Sequence, residues 1–85
     1  MKVRVATPEK ILFNDQVDDL IIEGAMGQLN ILPRHTNFVS FVMPGPLRLR
    51  RAQRDISVFQ LSDGIVKVED NDVTVLCATA EELSA

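Results

Sequence analysis

Gly24 to Arg50 reads GAMGQLNILPRHTNFVSFVMPGPLRLR, and this stretch decides the fold. It joins a glycine-bounded loop, a short Leu29-Asn30-Ile31-Leu32 run stopped by Pro33, and the chain's single histidine, His35. An apolar run from Phe38 to Met43 follows, then a Pro44-Gly45-Pro46 turn and a strict alternation of leucine with arginine. Leu47 and Leu49 fall on one face of such a segment and Arg48 and Arg50 on the other, which is the period of a half-buried strand. The stretch predicts a β-rich domain that presents its loops to partners.

The same alternation recurs on either side. Val3 and Val5 oppose Lys2 and Arg4, and Val73, Val75 and Cys77 line one face of the segment from Asp72. The β-branched residues in these runs suit a pleated, half-buried surface. Turn signals recur at Thr7-Pro8-Glu9, Phe13-Asn14-Asp15, Gly24 to Gly27, Pro33, Pro44-Gly45-Pro46, Ser62-Asp63-Gly64 and Glu69 to Asp72. Many short strands with regular turns predict an all-β sandwich or barrel. Its core is expected to contain Val5, Leu47, Leu49, Val58, Val73 and Val75. Thr79 to Ala85 allows a short helical start at the C-terminus, with Thr79 as N-cap and Glu82 at the capping-box position.

The 85 residues make one small domain, 46% apolar and 25% charged, which is ordinary for a folded globular chain. A domain of this size buries only about 60–65% of its unfolded surface, so a partner can add to its stability. With four Phe, no Trp and no Tyr, the core rests on Val, Ile and Leu. The single cysteine leaves no internal disulfide to form and leans towards a reducing compartment. No run approaches the roughly 20 apolar residues of a membrane-spanning helix, and the start lacks a secretion signal. The net charge of −3 hides a separation: Arg34 to Arg54 holds five arginines and no acid, while the remaining residues hold four basic and twelve acidic side chains. Such a basic and an acidic side orient encounters with partners.

The candidate chemical sites are weak. His35 has no second histidine and no nearby carboxylate, so a metal or base role has no company, and a loop histidine held by hydrogen bonds or facing a protein partner fits better. Cys77 shares a face with Val73 and Val75 and reads as a small buried hydrophobe. Gly24-Ala25-Met26-Gly27 has the spacing of an RNA-clamping loop, but that loop joins helices and these flanks are strand-like. The acids at Glu69, Asp70 and Asp72 read as an exposed turn and nothing more. No constellation for catalysis, a cofactor or a metal emerges. The rival to a docking role is a stand-alone adaptor or nucleic-acid module using the basic patch from Arg48 to Arg54. Such binders usually add aromatic stacking platforms, which this chain is poor in.

Taken in order, these residues resemble the N-terminal β-sandwich of the epsilon subunit of rotary F-type ATP synthases. Thr7-Pro8-Glu9 with Phe13 is similar to the family's opening hairpin, and Val17 to Ile22 to its next strand. Gly24, Gly27, Leu29, Ile31, Leu32, Pro33 and His35 fall on its G-x-x-G-x-L-G-I-L-P-x-H signature. Pro44-Gly45 with Leu47-Arg48 matches its P-G-x-L-R element. Gly64, Asp72 to Leu76 and Thr79-Ala80-Glu81 match its closing strands. Asn30 and Asp63 stand where the family has glycine, and Gln28 where an acid is common. These departures, with Arg34 and Asn37-Phe38-Val39, resemble the divergent epsilon subunits of alternate, sometimes sodium-linked, complexes.

The resemblance implies a two-sheet antiparallel β-sandwich over residues 1–85, without the helical hairpin that follows in most members. It implies a non-catalytic subunit of the central stalk, joining the gamma subunit to the c-ring and coupling ion flow to ATP synthesis. The subunit would sit peripherally on the cytoplasmic face of the energy-transducing membrane, with no cofactor, no nucleic acid and no insertion into the bilayer. On this resemblance Gly24, Met26, Gly27, Gln28 and Asn30 face the c-ring. His35, Thr36, Phe38 and Met43, with the strand leading to Met43, face gamma, with apolar contacts supplying most of the affinity. The coupling ion stays open.

Overall fold

The computed structural model describes residues 1–83, and every regular element among them is a strand. The first five are β1 (Lys2–Ala6), β2 (Ile11–Gln16), β3 (Asp19–Gly24), β4 (Gly27–Ile31) and β5 (Phe38–Val42). The next five are β6 (Gly45–Arg51), β7 (Arg54–Leu61), β8 (Gly64–Glu69), β9 (Asp72–Cys77) and β10 (Ala80–Leu83). Hydrogen bonding runs in the order β10-β7-β6-β3-β5-β8-β9-β1-β2, with β4 on β3.

The ladder is continuous but folds at one point. β3 and β5 meet through a single residue pair, Gly24 with Val42. On one side of that pair lie β10, β7, β6, β3 and β4, and on the other β5, β8, β9, β1 and β2. The sheet therefore doubles over into two layers, which close as a sandwich. Two backbone bonds brace the fold line: Met43 N–H donates to the Glu23 carbonyl at 2.9 Å and Ala25 N–H to that of Phe41 at 3.2 Å.

Alternation places the core between the layers. Val3, Val5, Leu47, Leu49, Val73, Val75 and Cys77 are buried, as their period requires, and Leu20, Ile22, Ile31, Val42, Phe59, Leu61, Val66 and Val68 join them. Removing aliphatic surface from water at about 25 cal/mol per Å² supplies most of the stabilisation.

Five features depart from the sequence expectations. Val58 is only half-buried; it pairs with Arg48 and Leu83 on the outward face, and Phe59 and Leu61 take the core positions. A bulge between Leu49 and Arg50 shifts this ladder, so that Leu49 opposes Ser57 while Arg50 opposes Asp55. Phe13-Asn14-Asp15 is no turn but the middle of β2. Ala80–Leu83 is a strand paired with β7, where a helical start was expected; Ser84 and Ala85 lie outside the described residues. Finally, β1 pairs parallel with β9, because the N-terminal strand is inserted between β9 and β2.

Candidate functional site

β3 and β4 form a hairpin whose turn, Ala25-Met26, is closed by the pair Gly24 and Gly27. Gly27 adopts φ of 121°, open to glycine and strained for other residues. A β-carbon on Gly24 would lie 2.9 Å from Leu29 Cδ1 and 3.1 Å from the Gly27 carbonyl oxygen, so any other residue there would push on the Leu29 side chain and the turn. Met26 is thereby held fully exposed at the tip. Gln28 is exposed beside it, directly across from Glu23. Asn30 is different: with its amide nitrogen turned towards the acceptors, it donates to Asp19 Oδ2 at 3.2 Å and to the Leu20 carbonyl at 3.1 Å. The hairpin tip thus gathers Met26, Gly27 and Gln28, while Asn30 is tied to the base.

The second expected cluster divides along β5. His35, Thr36 and Phe38 sit at its start. The His35 ring packs against Phe38 with centroids 5.0 Å apart and planes 56° apart, and Phe38 in turn packs against the core. His35 Nδ1 lies 2.9 Å from the Thr36 carbonyl, which can only accept, so this nitrogen carries the proton. Met43 lies past the other end of β5, bonded to Glu23 beside the hairpin.

Between these ends lies a surface that the sequence reading set against gamma only along β5; its extension across β8 and β9 was missed. Val39, Phe41 and Met43 alternate along the outward face of β5, with Val39 65% and Phe41 72% exposed. Phe41 pairs with Ile65 of β8, and Ile65 pairs with Leu76 of β9, so an apolar row crosses three strands. Ile65 and Leu76 are also exposed. Strands apolar on both faces are those with both faces covered, and a contiguous exposed apolar patch marks a docking site. The signal in the sequence is the weak alternation in Phe38 to Met43, where Val39, Phe41 and Met43 make one face wholly apolar and Ser40 alone is polar on the other.

The arginine run makes a different surface. Arg48 Nε lies 3.2 Å from Asp55, Arg50 3.7 Å from Asp19 and Arg51 3.6 Å from Asp15. Acids from β2, β3 and β7 thus neutralise the centre of the patch that a nucleic-acid reading needs. Cys77 is buried, and its Sγ lies 3.9 Å from the Ala6 carbonyl. Burial raises its thiol above the ordinary value, which disfavours the thiolate needed for reactivity. Among the described residues, no three His, Cys, Asp or Glu side chains converge as metal ligands, and no helix is long and apolar enough to cross a membrane.

Residues 1–83 match the family model for the β-sandwich domain of the ATP synthase delta/epsilon chain. The chloroplastic ATP synthase epsilon chain of Emiliania huxleyi is 39% identical over 82 residues, covering 96% of this chain and 62% of the relative. That of Leptospira interrogans is 37% identical over 76 residues, covering 89% and 59% respectively. The chain thus spans about three fifths of the length of these curated relatives. A chain of the Euglena gracilis mitochondrial ATP synthase superposes with a TM-score of 0.86 at 18% identity, covering 94% of this chain and 51% of that one. A chain from the central stalk and c-ring structure of the Tetrahymena thermophila enzyme gives 0.81 at 23% identity, covering 95% and 65%. These two likenesses establish the shared fold. The chain belongs to the delta/epsilon β-sandwich family of ATP synthases.

Proposed function

We propose that this domain is a non-catalytic docking module of the central stalk of a rotary ATP synthase, joining the gamma subunit to the c-ring so that ion flow is coupled to ATP synthesis. The observation that carries the reading is the apolar row of Phe41, Ile65 and Leu76 with Val39 and Met43, exposed on a domain whose own core is already filled. Family membership supports it, as do the solved relatives described with a c-ring. The apolar face and the His35 loop seat on gamma, with burial of aromatic and aliphatic side chains supplying most of the affinity. The hairpin tip of Met26, Gly27 and Gln28 meets the polar loops of the c subunits. A neutral amide at Gln28 makes that contact weakly dependent on salt. The domain sits peripherally at the cytoplasmic face of the membrane and makes and breaks no covalent bond.

Single cysteines at Gln28 and Thr36 in the assembled complex test both interfaces. Gln28→Cys is expected to cross-link to a c subunit and Thr36→Cys to gamma, while Glu82→Cys on the outer edge strand β10 links to neither. Cross-links from Glu82 with none from the other two positions sink the reading. Phe41→Arg separately tests the apolar face: gamma binding is expected to fall at least tenfold, as for a buried aromatic anchor, with little change in Tm.

A further inference from the structure

Asp70 and Asn71, at the turn between β8 and β9, are bonded to the loop that bears His35. Asn71 Oδ1 accepts the Arg34 N–H at 2.9 Å. Asn37 Oδ1 accepts the Asp70 N–H at 3.0 Å, and Asn37 Nδ2 lies 3.5 Å from Asp70 Oδ1. The turn is itself tied down, since the Asn71 carbonyl accepts the Lys2 N–H of β1 at 3.3 Å.

The conformations explain why these residues serve. Asp70 and Asn71 both have positive φ, 52° and 67°, between the paired Glu69 and Asp72. That is a type I′ hairpin turn, which Asp and Asn tolerate. Glycine would satisfy the turn as well, but it has no side-chain oxygen to reach across. Arg34 is also left-handed, with φ of 60°, and such a residue keeps its conformation only where its surroundings over-determine it. The Asn71 bond holds that residue at one end of the loop. The Asn37–Asp70 contacts hold the other end, next to Phe38 and its packing on His35.

We infer that Asp70, Asn71 and Asn37 form a latch that presets the loop from Arg34 to Phe38 in its docking shape. They are positioning residues, and the inference rests on the proposal that this loop faces gamma. A preset loop avoids the ordering cost of binding. If the released loop holds the docking shape about one tenth of the time, apparent affinity falls about tenfold.

The test uses the 85-residue chain with Asn71→Gly and Asn37→Ala combined. This variant keeps the hairpin turn but removes both side-chain acceptors, Asn71 Oδ1 on the turn and Asn37 Oδ1 on the loop. Amide exchange at Arg34 and Asp70 is expected to quicken at least tenfold and the His35 ring resonances to move. Exchange within the β8–β9 ladder and Tm should change little. Affinity for the purified gamma subunit should fall about tenfold. Asn71→Asp alone, which retains an acceptor, should keep Arg34 protected. Unchanged exchange at Arg34 and Asp70 in the double variant overturns the latch, whatever the affinity. A loosened loop with unchanged affinity overturns its role in docking. If His35→Ala and Thr36→Ala in the otherwise native chain also leave affinity unchanged, it is the placement of this loop on gamma that has failed.

Discussion

The Leu76 carbonyl oxygen occupies the space that a β-carbon on Gly64 would need. Gly64 also pairs with Cys77 on one side and Val42 on the other, so neither neighbour can move without disturbing a ladder. Gly64→Ala is expected to cost about 1–3 kcal/mol or more, as overpacking against backbone does. Gly27→Ala meets nothing within 4 Å and carries only the strain of its φ. Denaturant midpoints should rank Gly64→Ala as the more damaging; the opposite order would refute the packing argument.

Leu47→Ala should remove about 2–5 kcal/mol, a large share of the stability of so small a domain. Val58→Ala should cost clearly less, because Val58 shares the outward face with Arg48. Equal losses in urea titrations would place Val58 in the core after all.

The turn between β6 and β7 holds Ala52 and Gln53 at φ of 53° and 63°, between the paired Arg51 and Arg54. Neither residue favours that region, at about 1–2 kcal/mol each. The turn survives because Asp18 Oδ2 accepts the Ala52 N–H at 2.6 Å and the Gln53 carbonyl accepts from Arg50 at 3.3 Å. Ala52→Asn with Gln53→Gly keeps those backbone groups and supplies the preferred I′ pair. It is expected to stabilise the domain by about 1 kcal/mol, read as a rise in Tm. A fall would show that the turn is not held as described.

Burial raises the Cys77 thiol above its ordinary value, so the unfolded chain ionises first as pH rises. The native state then binds more protons than the unfolded one, and stability falls with pH. The contribution is complete below the unfolded pKa and is lost above it. Between about pH 8 and pH 10 the denaturation midpoint of the native chain should fall more steeply than that of Cys77→Ala. Parallel slopes would remove Cys77 from the alkaline transition.

Legibility in the sequence followed the polarity of the second face. Val3 with Val5, Leu47 with Leu49, and Val73 with Val75 and Cys77 stand out because charged or polar residues alternate with them. β2 is an edge strand whose exposed Asn14 and Asp15 imitate a turn. β10 offers two glutamates that imitate a helix start, and only its distant pairing with β7 makes it a strand. Val58 was misplaced because β7 is apolar at Ile56 and Val58 as well as at Phe59 and Leu61, so alternation alone does not say which of its faces turns inward. At the candidate site, the glycines foretold the hairpin and its exposed tip. The apolar row was hidden because Phe41, Ile65 and Leu76 come from three separate strands. The link between Arg34 and Asn71 spans 37 residues, and no local pattern announces it.

The single pair of Gly24 and Val42 has a mechanical consequence. On the proposed reading, the c-ring pushes on the hairpin of one layer while gamma is gripped by strands of the other. Torque between the layers is then shared by this pair, the two flanking backbone bonds, the chain segments that cross from layer to layer, the Arg51–Asp15 ion pair and the interdigitated side chains beneath. The domain then behaves as a coupling whose ladder of backbone hydrogen bonds narrows to one residue pair at the crease between β3 and β5, so that packing between the layers carries much of the load.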